Sequence, residues 1–161
     1  PSARVSPASA WQARASALGA DVPACVASRT CIGQGTGTEL APVADDLSGT
    51  PVLLVNPRLP LSTGPVFRAW DGVDRGPLPQ GTAREIALAG RNDLEAPAMA
   101  LCPAIADVLA ALGETQPLLA RMSGSGATCF ALYERHDVMR KALEYIDEQH
   151  PEWWLMGGQL R

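Results

Sequence analysis

The chain of 161 residues is 47% hydrophobic and carries a formal net charge of -4, with thirteen Lys and Arg against seventeen Asp and Glu. This is enough apolar material for one compact domain, or for a domain and part of a second. The cations are scattered, without the basic stripe a nucleic-acid binder needs. No apolar run reaches the roughly 18 to 20 residues that span a bilayer, and the first residues do not pair a charged segment with an apolar one, so a cytoplasmic protein that meets neither nucleic acid nor membrane is expected.

The first periodic segment, Ser9 to Leu18, is rich in Ala with Trp11, Ala15 and Leu18 at helical spacing, and Gly19 is placed to stop that helix. Asp21 follows at once, between Gly19-Ala20 and Val22-Pro23. A lone carboxylate on so stiff a turn is either the N-cap of a new short helix or a proton acceptor. Thr30 to Leu40 contains Gly33, Gly35 and Gly37 and reads as extended chain with tight turns. Ala41 to Gly49 is the expected joint between domains.

From Pro51 the pattern changes. Val52-Leu53-Leu54-Val55 is a continuous apolar run ending in Asn56-Pro57, the mark of a strand buried on both faces. Ser62-Thr63-Gly64-Pro65 ahead of Val66, Phe67 and Trp70 reads as a capped helix start. Asp71 to Gln80 breaks structure with Gly and Pro, and Thr82 to Leu112 then holds two or three helices, Asn92-Asp93-Leu94-Glu95 fitting a capping box. Pro117 to Met122 and Ala127 to Tyr133 are strands on either side of Ser123-Gly124-Ser125-Gly126, followed by an amphipathic helix from Asp137 to Gln149 and a last strand from Trp153 to Met156. Strand, helices, two strands, helix, strand is an α+β, ferredoxin-like split β-α-β layout with a helical insertion.

Cys25, Cys31, Cys102 and Cys129 lack the Cys-x-x-Cys spacing and the neighbouring His pairs of a metal or redox site, and are expected to be small buried apolar residues. His136 and His150 stand alone, as surface or capping residues, so no metal site is assigned. The Ser123 to Gly126 stretch has neither the Gly-Lys-Ser/Thr of a P-loop nor the spacing of a dinucleotide fingerprint. It is either a tight hairpin whose glycines serve the turn, or a nest whose N–H groups face an anion.

Five segments in order resemble the 4-diphosphocytidyl-2-C-methyl-D-erythritol kinases, a branch of the GHMP kinases: Leu18-Gly19-Ala20-Asp21-Val22-Pro23, Gln34-Gly35-Thr36-Gly37, Val55-Asn56-Pro57 with Ser62-Thr63 and Val66-Phe67, Asn92-Asp93-Leu94-Glu95, and Met122 to Thr128. The resemblance implies a GHMP kinase C-terminal domain over residues 48–161, preceded over residues 1–47 by the tail of the family's N-terminal domain. It implies an ATP-dependent kinase, with Mg as the ATP complex, acting on the 2-hydroxyl of 4-diphosphocytidyl-2-C-methyl-D-erythritol in non-mevalonate isoprenoid biosynthesis. Asp21 would be the catalytic base, Thr63 and Phe67 would lie toward the cytosine, and Ser123, Gly124, Ser125 and Gly126 would form a loop beside the active site. Gly64 stands where some members have proline, so the pocket wall differs there.

The family's early lysine and its main Gly-rich ATP loop are not among these residues, and no lysine precedes Lys141. A missing N-terminal half is therefore an expected partner, and the chain by itself is expected to be inactive. The competing expectation is a non-catalytic ferredoxin-like module that binds a ligand or partner. A mevalonate- or homoserine-type GHMP kinase fits Thr63 to Phe67 and Asn92 to Glu95 less well.

Overall fold

A computed structural model describes residues 15, 22–35, 37 and 39–161. Helix α1 (Val22–Ala27) opens where Pro23 occupies the first turn, a place where its missing N–H leaves no helical bond unmade. Strands β1 (Cys31–Gln34) and β2 (Glu39–Pro42) form an antiparallel hairpin with Cys31 opposite Pro42 and Gln34 opposite Glu39. The turn between them uses positive φ at Gly35 and Gly37, a conformation that costs glycine nothing.

The rest of the chain builds one four-stranded sheet. Strand β3 (Pro51–Asn56) leads through α2 (Thr63–Ala69), α3 (Ala83–Ala89), α4 (Glu95–Leu101) and α5 (Ala104–Glu114) to β4 (Leu119–Met122) and β5 (Cys129–Leu132), then through α6 (His136–Gln149) to β6 (Trp154–Gln159). The spatial order β4-β5-β3-β6, antiparallel at each step, is the expected ferredoxin-like arrangement, with α2, α3 and α4 as the helical insertion. Helix α5 lies on β4 and β5, α6 lies on β3 and β6, and the two helices touch. Between them and the sheet sit Leu53, Val55, Cys129, Ile105, Val108 and Ile146, each fully buried. Burial of side chains of this size stabilises by about 1.5–3 kcal/mol each.

Several local expectations differ from the fold. The run Val52 to Val55 alternates, with Leu53 and Val55 fully buried and Val52 and Leu54 half-buried, because helices cover only the face of β3 that carries the former pair. The capping box sits at α3, where the Thr82 hydroxyl accepts from the Glu85 N–H at 3.3 Å and the Glu85 carboxylate accepts from the Thr82 N–H at 2.9 Å. Ser62 precedes α2 without a side-chain cap bond. The last strand starts one residue late, because Trp153 is buried and its neighbour His150 stacks on it with ring centroids 3.7 Å apart. Cys102 and Cys129 are buried as expected, whereas Cys25 is exposed and Cys31 is half-buried.

Candidate functional site

The site is built where the β4–β5 turn meets the start of α2. Met122 ends β4 and Cys129 opens β5, facing each other across the sheet. The turn is closed by the Ser123 N–H donating to the Thr128 carbonyl at 2.8 Å and by the Gly126 N–H donating to the Ser123 carbonyl at 3.0 Å. Gly124 at φ 55° and Gly126 at φ 85° supply the left-handed steps this geometry needs. The stretch is a hairpin, and two of its four amides are already satisfied internally. The amides of Gly124 and Ser125 have no backbone acceptor among the described residues.

Four side chains from outside the turn hold it. Thr63, the first residue of α2, and Ser125 share a hydroxyl–hydroxyl hydrogen bond of 2.9 Å across 62 positions of sequence. Asn56, at the end of β3, donates from Nδ2 to the Thr128 hydroxyl at 2.9 Å. Asn92 donates from Nδ2 to two carbonyls at once, Met122 at 2.9 Å and Gly124 at 2.8 Å. The Glu95 carboxylate accepts from the Met122 N–H at 3.1 Å. Below, there is no room: a Cβ on Gly126 would lie 2.8 Å from the Met122 sulfur, 3.2 Å from Leu61 and 3.3 Å from Ile105.

Of the residues expected at the site, Thr63 is hydrogen-bonded to Ser125 within the Ser123 to Gly126 turn. Phe67 is four residues beyond Thr63, hence on the same face of α2, and is 54% exposed, so it is not a core residue. Asp21 lies outside the described residues. The expectation that Asn92 to Glu95 caps a helix is corrected. Helix α4 starts at Glu95, the Asn92 Oδ1 accepts only from the Leu94 N–H at 3.0 Å, and both polar side chains reach instead to the turn some thirty residues away.

Two further features had weak or no sequence signals. Arg58 is held at φ 57° by its N–H donating to the Asn56 Oδ1 at 2.7 Å, so Asn56 fixes both the glycine turn and the loop into α2. The pairing Asn56-Pro57 after an apolar strand was the available signal; a left-handed arginine has none. Beneath the turn, burial first and the Glu95 carboxylate next push the Cys129 thiol up to about 12, which keeps it protonated and unreactive at neutral pH. Among the described residues no cluster of three His, Cys, Asp or Glu side chains could hold a metal, and no helix is long and apolar enough to cross a membrane. A groove of about 600 Å³ between the β1–β2 hairpin and residues 77–81 contains none of the expected site residues.

Residues 79–152 match the GHMP kinases C-terminal family, and the ferredoxin-like unit is a GHMP kinase C-terminal domain. Over most of its length the chain is similar to about half of several 4-diphosphocytidyl-2-C-methyl-D-erythritol kinases. The one from Novosphingobium aromaticivorans is 64% identical over 154 residues, covering 94% of this chain and 52% of the relative. The one from Erythrobacter litoralis is 61% identical over 155 residues, covering 94% of this chain and 57% of the relative. A crystal structure of a 4-(cytidine 5'-diphospho)-2C-methyl-D-erythritol kinase superposes with a TM-score of 0.74 at 30% identity, over 96% of this chain and 57% of that one. The chain thus spans about half the length of the curated relatives it matches.

Proposed function

We propose that this chain is part of a kinase that transfers the γ-phosphoryl group of ATP to the 2-hydroxyl of 4-diphosphocytidyl-2-C-methyl-D-erythritol. Residues 1–47 would belong to the end of its N-terminal domain and residues 48–161 to its C-terminal domain. The Asp21 carboxylate takes the hydroxyl proton as that oxygen bonds to the γ-phosphorus and ADP leaves. Thr63 and Phe67 face the cytosine end, where the exposed ring offers a stacking surface. The Ser123 to Gly126 turn braces the nucleotide side. Two of its amides close the turn itself, which favours a brace over a phosphate cradle. Mg accompanies ATP as its phosphate complex, and no residue of this chain is assigned to it.

The observation that carries this reading is the 2.9 Å bond between Thr63 and Ser125, which joins the proposed base-binding helix to the glycine turn in a chain 64% identical to a kinase of that name. The test uses the full reading frame that encodes this chain, assayed for phosphorylation of the cytidyl methylerythritol. Activity that falls by roughly 10²–10⁴-fold in Asp21→Asn supports the assignment of the base. Full activity in that variant removes it, and an inactive parent removes the kinase reading.

A further inference from the structure

Asn92 and Glu95 stand two and five residues after Gly90, in the connection from α3 into α4, and neither side chain is spent on its own helix. Asn92 uses every polar atom it has. Its Oδ1 accepts the Leu94 N–H, and its two amide hydrogens go to the carbonyls of Met122 and Gly124, which bracket Ser123. Only a primary amide does this: an aspartate in the same place keeps the acceptor and loses both donors. Glu95, one turn further on, takes the Met122 N–H. Residue 122 is therefore gripped at both its N–H and its carbonyl by two side chains of one short segment.

We propose that Asn92 and Glu95 are positioning residues for phosphoryl transfer, fixing the height and tilt of the Ser123–Gly126 turn against the reacting groups. The proposal rests on the kinase reading above. The geometry suits such a role better than one in stability alone. The turn already has its own hairpin bonds, and an ordinary hairpin needs no second pair of bonds from thirty residues away. A turn that must stay within a fraction of an ångström of its working place does need them, since misplacement of about 1 Å in a catalytic constellation costs on the order of a hundredfold in rate.

The test has two readouts and uses the full reading frame. Asn92→Asp is expected to lower kcat by about ten- to hundredfold while KM for either substrate changes by less than about threefold. In the same protein, hydrogen exchange should quicken at the Ser123 and Gly126 amides and stay unchanged in β3. Glu95→Gln, which keeps a carbonyl acceptor for the Met122 N–H, should stay near wild type, and Glu95→Leu should follow Asn92→Asp. Thr82→Ala, which removes the capping box of α3, serves as the control for general destabilisation and should leave kcat unchanged. Faster exchange with an unchanged kcat overturns the positioning role, and so does an equal loss of kcat in Thr82→Ala. Unchanged exchange overturns the anchoring itself. An inactive wild-type protein overturns the kinase reading, whereas an active one with normal kcat in Asn92→Asp overturns this inference alone.

Discussion

Gly35-Thr36-Gly37 and Gly124-Ser125-Gly126 share a spacing, and the structure gives their glycines nearly the same backbone. The φ angles are 60° and 88° in the first and 55° and 85° in the second. Each turn is closed by the later glycine donating its N–H three residues back, at 2.9 Å and 3.0 Å. Their surroundings differ. A Cβ on Gly35 would meet nothing within 4 Å, whereas one on Gly126 would strike Met122, Leu61 and Ile105. The second turn also receives side chains from β3, α2 and the α3–α4 connection. A Gly-x-Gly spacing therefore reports a turn, and the anchors that converge on it from distant elements separate a braced turn from a connecting one.

The comparison breaks or sharpens most readily by adding one methyl group. Gly126→Ala combines a left-handed backbone with overpacking, and should lose about 2–5 kcal/mol of stability by urea denaturation. The same change at Gly35 meets only the backbone penalty, about 1–2 kcal/mol. Equal losses would mean that surroundings do not distinguish the turns. Next in size is Asn56→Ala, which removes the bonds to Thr128 and Arg58 and should cost about 1–2 kcal/mol, read as a lower midpoint at unchanged slope.

A pH effect belongs to the second turn through Cys129. The folded chain holds this thiol proton up to about 12, against an ordinary value of 9.0. Its contribution is thus complete below pH 9 and is lost as pH rises toward the folded value. Alkaline unfolding should begin above pH 9 and be blunted in Cys129→Ala, and identical pH curves would contradict this. The smallest effect is expected at Arg58, where Gly relieves a positive φ but adds freedom to the unfolded chain, for a net gain of about 0.5 kcal/mol.

How much the sequence disclosed follows the range of the interactions. Strand order, the helical insertion and the hairpin were legible because they rest on local periodicity and turn chemistry: Leu53 and Val55 against Pro57, the glycines of residues 123–126, the amphipathic helix from residue 137. Thr63, Phe67 and the glycine turn are site residues only through the resemblance; of these, Thr63 is bonded to the turn at Ser125. The segment Asn92 to Glu95 differs from its expectation because a capping box and a pair of long-range anchors use the same residue types at the same spacing, and only the partner thirty residues away tells them apart. Arg58 was invisible, since its conformation is imposed by Asn56 and not by its own chemistry.

The last strand of the sheet is an edge that pairs with the first, β3. Beyond the β3–β6 ladder, the Gly49 N–H donates to the Leu160 carbonyl at 2.9 Å and the Leu160 N–H returns to Thr50 at 2.9 Å, so residues on either side of the ferredoxin-like unit are hydrogen-bonded neighbours. On the ribosome, β3 precedes β6 by about a hundred residues and keeps one edge open until β6 emerges. During that interval an apolar strand is exposed to other nascent chains, and a stall before Trp154 would release the domain with its central strand half-paired. The same adjacency of ends lets the unit be opened at a surface loop and rejoined by a short linker.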